Sequence, residues 1–279
     1  MSQNILVGDI GSTKSTWWSN SEGNKEFHLT GYNPVVHEDA VGQRMFEQLW
    51  HVTEGDLFNK VWYYGTGVLD AVSESKVSAA LKKYFPKASI EIESDLLGAA
   101  KASCGTEPGT FVILGTGSHA AVYDGKKVIR QANSLGYLIG DEGGGCDIGK
   151  ELVKAYFYKQ LPTQIAAEME STIQGDRSDF LQRLYHAEAP NQFLADFVKV
   201  AVHHKDDSWI ENMVHERFMV FIRNHVLPLH PQGPIHEVGS IGTIFADLFR
   251  NALEKNELKA GTFIKDPARR LFEMHLQHD

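Results

Sequence analysis

The sequence predicts an α/β protein made of two similar halves, and three observations carry that prediction. First, a short apolar run, Ile5-Leu6-Val7, enters the loop Gly8-Asp9-Ile10-Gly11-Ser12-Thr13-Lys14-Ser15. It leaves through Ser15-Thr16-Trp17-Trp18-Ser19, a β-branched and aromatic run that reads as a return strand. Second, the pattern recurs as Phe111-Val112-Ile113-Leu114, the loop Gly115-Thr116-Gly117-Ser118, and His119-Ala120-Ala121-Val122-Tyr123. Setting Gly11 on Gly115 gives an offset of 104 residues. Third, after each hairpin the chain turns to helical periodicity broken by short strands, as a mixed α/β half requires.

In the first half, Ser21-Glu22-Gly23-Asn24-Lys25 turns the chain into a third strand, Glu26 to Thr30. Gly31-Tyr32-Asn33-Pro34 is a loop, followed by a helix over Ala40 to His51 with Val41, Met45, Phe46 and Leu49 on one face. Val61 to Tyr64 is a strand, Val72 to Phe85 a helix stopped by Pro86, and Ala88 to Glu93 an alternating strand. Ser94-Asp95 follows, Leu96 to Ala100 starts a helix, and Gly105-Thr106-Glu107-Pro108-Gly109 is the expected link between domains. The division expected is 1–108 plus 265–279 and 109–264, the last helix returning to the first half.

In the second half, Asp124-Gly125-Lys126-Lys127 is a hairpin turn. The stretch from Ser134 to Gly145 holds five glycines and Asp141, and reads as shaped loop. Helices are expected over Ile148–Leu161, Asp179–His186, Gln192–His203 and Ser208–Leu227, the last stopped by Pro228. Ile235 to Val238 is a short strand, Gly239-Ser240-Ile241-Gly242 a loop opening a helix at Thr243, and Asp266–Gln277 the last helix. The five tryptophans, 17, 18, 50, 62 and 209, read as core or interface residues.

Composition narrows the function. At 279 residues, 42% hydrophobic and 23% charged, the chain is of soluble globular type with room for two domains. A net charge of −9 argues against nucleic acid as a partner. No apolar run is long enough to cross a membrane, and no signal peptide is visible. Cys104 and Cys146 make no disulfide framework and suit a reducing, cytoplasmic setting. The histidines, His203, His204, His225 and His230 among them, show no metal-ligand spacing and are expected on solvated helix faces.

The two loops carry the candidate chemistry. Neither is a Walker A loop or a dinucleotide fingerprint, because each joins two strands rather than a strand and a helix. A tight loop still gathers backbone N–H groups into an anion nest. Gly11, Ser12 and Thr13 are candidate donors with Lys14 as a point charge, and Asp9 stands where a carboxylate could hold hydrated Mg2+. A lone loop of this kind is as readily a plain hairpin turn. Two similar loops could clamp one polyphosphate. The second lacks a metal carboxylate, since Ile113 takes the place of Asp9. Asp95, at a strand end, is either a catalytic carboxylate or a helix N-cap. Asp141 and Glu142 are either site residues or an exposed acidic turn.

With these motifs the sequence resembles the actin, Hsp70 and hexokinase superfamily. The Gly140-Asp141-Glu142-Gly143 stretch, the Gly115–Ser118 loop and the Asp95 stretch resemble its N-acetylglucosamine kinase branch, grouped with the BadF/BcrA-type ATPases. The resemblance implies two actin-like, ribonuclease H-like lobes with ATP in the cleft between them. It implies that Asp95 accepts the proton of the attacking hydroxyl. Residues matching Asn33, Asp95, Leu135, Gly136 and Asp141 would line the sugar site, with Tyr137 in the same run. Thr13, Thr116 and Ser240 would touch ATP, alongside Gly115, Gly117, Ser118 and Gly239. Lys265 to Arg270 carries arginines where the family often has a glycine. The expected function is a cytoplasmic, ATP- and Mg2+-dependent kinase of an amino sugar, probed first with N-acetylglucosamine. A homodimer is compatible with it. The rivals are an ATP-driven activator with an iron–sulfur cluster, for which Cys104 and Cys146 do not look like the ligand pair, and a non-catalytic sensor.

Overall fold

The structure is a computed structural model describing residues 3–278 apart from 22 and 55–57, so Glu22 of the first expected turn lies outside the described residues. The chain divides into two compact units, residues 1–106 with 266–279, and residues 107–265. The cuts fall two residues before the expected 108/109 boundary and one after the expected 264/265 boundary.

The first unit holds a sheet of β1 (Ile5–Ile10), β2 (Lys14–Ser19), β3 (Lys25–Thr30), β4 (Lys60–Gly65) and β5 (Ser89–Ser94). Its order is β3-β2-β1-β4-β5. β1, β2 and β3 run antiparallel, while β4 and β5 follow β1 in parallel. Alternation along each strand sends neighbouring side chains to opposite faces. Leu6, Ile10, Trp17, Val61 and Tyr63 enter one core with Met45, Phe46 and Leu49 of α1 (Asp39–Val52) and Val77 and Leu81 of α2 (Ala71–Tyr84). Ile5, Val7, Trp62 and Tyr64 enter the other with Ala102 of α3 (Asp95–Cys104) and Leu271 and Phe272 of the C-terminal helix, Pro267–His278. Burial on both faces is why β1 and β4 read as unbroken apolar runs. Of the core-or-interface expectation for the tryptophans, Trp50 does not take the core: it is exposed on α1 beside His51.

The second unit repeats the plan. Its strands are β6 (Gly109–Leu114), β7 (Ser118–Tyr123), β8 (Val128–Gln131), β9 (Ile235–Val238) and β10 (Ala260–Ile264), in the order β10-β9-β6-β7-β8. β6 and β7 begin and end 104 residues after β1 and β2, so the offset set by two glycines holds for the whole hairpin.

Between β8 and β9 the chain adds helices α4 (Gly136–Ile139), α5 (Gly145–Phe157), α6 (Thr163–Ile173), α7 (Arg177–Tyr185), α8 (Pro190–Ala195), α9 (Val198–His203) and α10 (Ser208–Phe221). Several expectations are corrected here. The Ser134–Gly145 loop contains the helical turn α4. α5 starts three residues before Ile148, because Gly144 is its N-cap, and ends at Phe157, with Lys159 left-handed beyond it. The expected 192–203 helix is two short ones, broken at Asp196-Phe197, and the 208–227 helix ends as α10 followed by a π-helical turn, Ile222–Val226. Helices α11 (Ser240–Ile244) and α12 (Ala246–Lys255) precede β10, so the first starts at Ser240 rather than Thr243. The C-terminal helix is α13.

Candidate functional site

In the first unit the candidate residues gather at the carboxyl ends of β1, β4 and β5, where α/β sheets place ligands. Gly11 donates its N–H to Lys14 C=O at 2.9 Å, closing the β1–β2 loop. That N–H is therefore spent inside the loop, which corrects the expectation that Gly11 is an anion-nest donor. Gly31 lies against this loop: its N–H donates to Thr13 C=O at 2.9 Å, and a Cβ on it would strike Gly11 O. Tyr32 N–H donates to Gly11 C=O at 3.1 Å. Asn33 Nδ2 donates to Ser12 Oγ at 3.3 Å, and Asn33 Oδ1 accepts Val35 N–H at 3.0 Å.

At the end of β5 the N-cap of α3 is Ser94, whose Oγ accepts Leu97 N–H at 3.2 Å. The capping reading of Asp95 is thereby corrected: Asp95 is the first helical residue, and its Oδ1 accepts Leu96 N–H at 2.8 Å. Asp9 has its carboxyl pushed up to about 7, first by burial, then by the negative charges of Asp95 and Asp266, with Lys14 opposing. Asp266 had no signal of its own in the sequence. Three carboxylates here face the single cation Lys14, so the residues fit Mg2+. Among the described residues no three His, Cys, Asp or Glu converge as a metal cage.

In the second unit three segments meet at the ends of β6 and β9. Gly115 N–H donates to Gly117 C=O at 3.0 Å, so this loop too is closed by its first N–H. The 140–146 segment is laced to it: Gly145 N–H donates to Gly115 C=O and Cys146 N–H to Thr116 C=O, each at 2.8 Å. A Cβ on Gly144 would come within 2.7 Å of the Gly117 backbone, so only glycine permits the approach. Asp141 adopts φ +59°, and its carboxylate lies against Gly117, where a Cβ would come within 2.6 Å of Oδ2. Burial raises the Asp141 carboxyl first, while Ser118, Lys150 and His225 lower it and Glu142 raises it. The third segment arrives at Gly239, which abuts Leu114 O immediately before Gly115.

Several side chains here had no sequence signal. Thr116 Oγ1 donates to Gln192 Oε1 at 3.3 Å, and Lys150 Nζ donates to Tyr137 C=O at 2.8 Å. Arg217 of α10 grips Asp147 with Nε–Oδ2 2.7 Å and Nη2–Oδ1 3.3 Å. His225 is buried, not on a solvated face, and its Nε2 lies 2.7 Å from Glu142 Oε2. The exposed-turn reading of Glu142 is corrected with it. Glu237 on β9 is fully buried, accepts Thr243 Oγ1 at 3.2 Å, and has its carboxyl pushed up to about 9 by burial, Thr243 opposing. Leu135 is exposed, and Gly136 and Tyr137 form the start of α4. Arg269 and Arg270, in the first unit, reach Glu273 at 3.0 and 3.9 Å.

Comparison with solved structures gives a similarity along almost the whole chain. A candidate N-acetylglucosamine kinase from Porphyromonas gingivalis is 27% identical, with TM-score 0.91 over 98% of this chain and 99% of its own. Along its whole length the chain is similar to a candidate N-acetylglucosamine kinase, and its fold is of the actin-like ATPase type. A second candidate N-acetylglucosamine kinase of this kind, from Chromobacterium violaceum, is 16% identical with TM-score 0.74 over 98% of each chain. A glucokinase of the ROK family from Streptomyces griseus, in complex with glucose and AMPPNP, is 13% identical with TM-score 0.59, over 94% of this chain and 93% of its own. These last two speak to the fold alone. No family model matches the chain, and no curated protein matches it in sequence. No helix among the described residues is long and apolar enough to cross a membrane.

Proposed function

We propose that the chain is an ATP-dependent sugar kinase acting on an amino sugar, N-acetylglucosamine first among the acceptors. The observation that carries this reading is the strand–loop–strand hairpin present in both units at the same place in the same sheet order. It is joined by full-length similarity to a candidate N-acetylglucosamine kinase. Asp9, Ser12, Thr13, Lys14, Asn33 and Asp95 are the first unit's contribution. The second unit contributes Gly115–Ser118, Leu135–Tyr137, Asp141 and Gly239-Ser240.

The acceptor hydroxyl oxygen attacks the γ-phosphorus as the bond to the bridging oxygen breaks and ADP leaves with the electron pair. The hydroxyl proton passes to the Asp95 carboxylate. Such transfer asks the protein mainly for positioning and charge stabilisation. Asp95 stands on a helix start fixed by the Ser94 cap, which suits a group that must align a hydroxyl. Mg2+, when held by Asp9, supplies neutralising charge.

The activator reading is not favoured by the thiols. Cys146 is fully buried and its thiol is pushed up to about 11 by burial, with Lys150 opposing. The deciding experiment measures ADP release with glucosamine, N-acetylglucosamine, N-acetylmannosamine, glucose and no sugar. ADP release that rises with an amino sugar supports the kinase. Release indifferent to every sugar overturns it.

A further inference from the structure

The 142–147 segment, which runs from the Asp141 turn into the first turn of α5, is pinned from one side by a single stretch of chain. Arg217 on α10 holds Asp147, and Asp147 Oδ2 also accepts Gly143 N–H at 2.9 Å. Gly143 itself rests on Phe221, with a Cβ there 3.1 Å from Phe221 Cβ. One turn further, Asn224 Nδ2 donates to Glu142 Oε1 at 3.1 Å, and His225 Nε2 meets Glu142 Oε2 at 2.7 Å. A carboxylate only accepts, so His225 Nε2 carries the hydrogen. The imidazole is buried and stacked on Phe221, with ring centroids 5.3 Å apart.

The backbone beneath this pair is the π-helical turn Ile222–Val226. Consecutive residues of a regular α-helix do not face a common point. The wider turn brings Asn224 and His225 to the two oxygens of one carboxylate, and inserted π turns often sit at functional sites. The π geometry, the burial of His225 and both hydrogen bonds thus bear on Glu142, the residue next to the left-handed Asp141.

We propose that Asn224 and His225, acting through Glu142, are positioning residues that hold the Asp141 turn in its sugar-binding conformation. The proposal rests on the kinase reading for its ligand, and on the geometry alone for the loop. Glu142 is lowered below the usual carboxylate range: burial opposes ionisation, but the bonds from His225, its own backbone and Asn224 outweigh it. The ionised strut is therefore the form the surroundings favour.

Two measurements on the full chain test it. In His225→Ala and Glu142→Ala, the sugar KM should rise about tenfold or more, as for loss of a hydrogen bond to a charged group. The ATP KM should stay within a few-fold. The double variant should be no worse than the worse single variant, and His225→Gln, which keeps an N–H donor, should recover part of the loss. Equal rises in both KM values, or additive effects in the double variant, overturn the proposal. Hydrogen exchange at the 140–146 amides, read without substrate, should speed up in both alanine variants. Unchanged protection there also overturns it. Faster exchange in a chain that releases no sugar-dependent ADP would leave the strut standing and remove the kinase reading.

Discussion

Asn33 Nδ2 donates to Ser12 Oγ at 3.3 Å, so the residue expected at the sugar is tied to the loop expected at the phosphates. The second unit has its counterpart, where the Asp141 carboxylate lies against Gly117 of the second loop, so that a Cβ on Gly117 would come within 2.6 Å of Oδ2. In each unit a group assigned to one substrate lies against the loop assigned to the other. Positioning of the acceptor relative to the phosphoryl donor is what such coupling can supply.

Asp95→Asn keeps size and most hydrogen bonding while removing charge and basicity. Turnover is expected to fall roughly 10²-fold or more, with ATP binding and the fold intact. Steady-state kinetics beside calorimetry of ATP and sugar binding check this. Activity within a few-fold of wild type would move the catalytic base elsewhere.

Asp9→Asn removes the carboxylate assigned to Mg2+. The Mg2+ concentration for half-maximal turnover should rise by about tenfold or more, while the sugar KM changes little. A Mg2+ titration at saturating sugar decides it, and an unchanged titration curve would count against the assignment.

Glu237 gives a pH signature of stability. Its carboxyl lies near 9 in the folded protein against an ordinary value of 4.5. The folded state therefore keeps a proton that the unfolded chain has lost. The stabilisation is fully present below about pH 4.5 and is lost as pH rises towards 9. In Glu237→Gln that slope should flatten, whatever the variant's absolute stability. Denaturant unfolding of both proteins at several pH values between 5 and 9 measures it, and parallel curves would refute the assignment.

Phe272 tests the return of α13 to the first unit. It is 1% exposed and stacked on Trp18, with ring centroids 5.7 Å apart. Close by, His275 stacks on Trp62 at 3.9 Å and meets Tyr64 Oη at 2.8 Å. Phe272→Ala should cost about 3–5 kcal/mol. Unfolding followed by tryptophan fluorescence reports it directly, and a loss under about 1 kcal/mol would mean that the helix is not part of that core.

Gly31→Ala tests the first loop. A methyl group there meets Gly11 O, which is backbone and cannot swing aside. The expected loss is about 2 kcal/mol or more, with a rise in the ATP KM. Wild-type stability and kinetics together would show that the loop is slack.

By itself the sequence determined the repeated hairpins and their spacing. Strand alternation, turn residues and the glycine loops are local, and they repeat whatever the rest of the chain does. Ile5 to Ser19 and Phe111 to Tyr123 could be read from patterns a few residues long. Asp9, Asp95 and Asp141 could be singled out because each follows a strand or sits among glycines. Only the tertiary structure decided which side chains those loops lean on. Arg217 and Asp147 are 70 residues apart, and His225 and Glu142 are 83 apart. Helical periodicity shows that a face is buried but not what it is buried against, so His225 read as a solvated histidine. The π turn at 222–226 has no periodic signature in so short a segment, and β10 is a short, half-exposed strand that exists because β9 offers it an edge. Local patterns place the loops; contacts between residues far apart in the chain decide how firmly each loop is held.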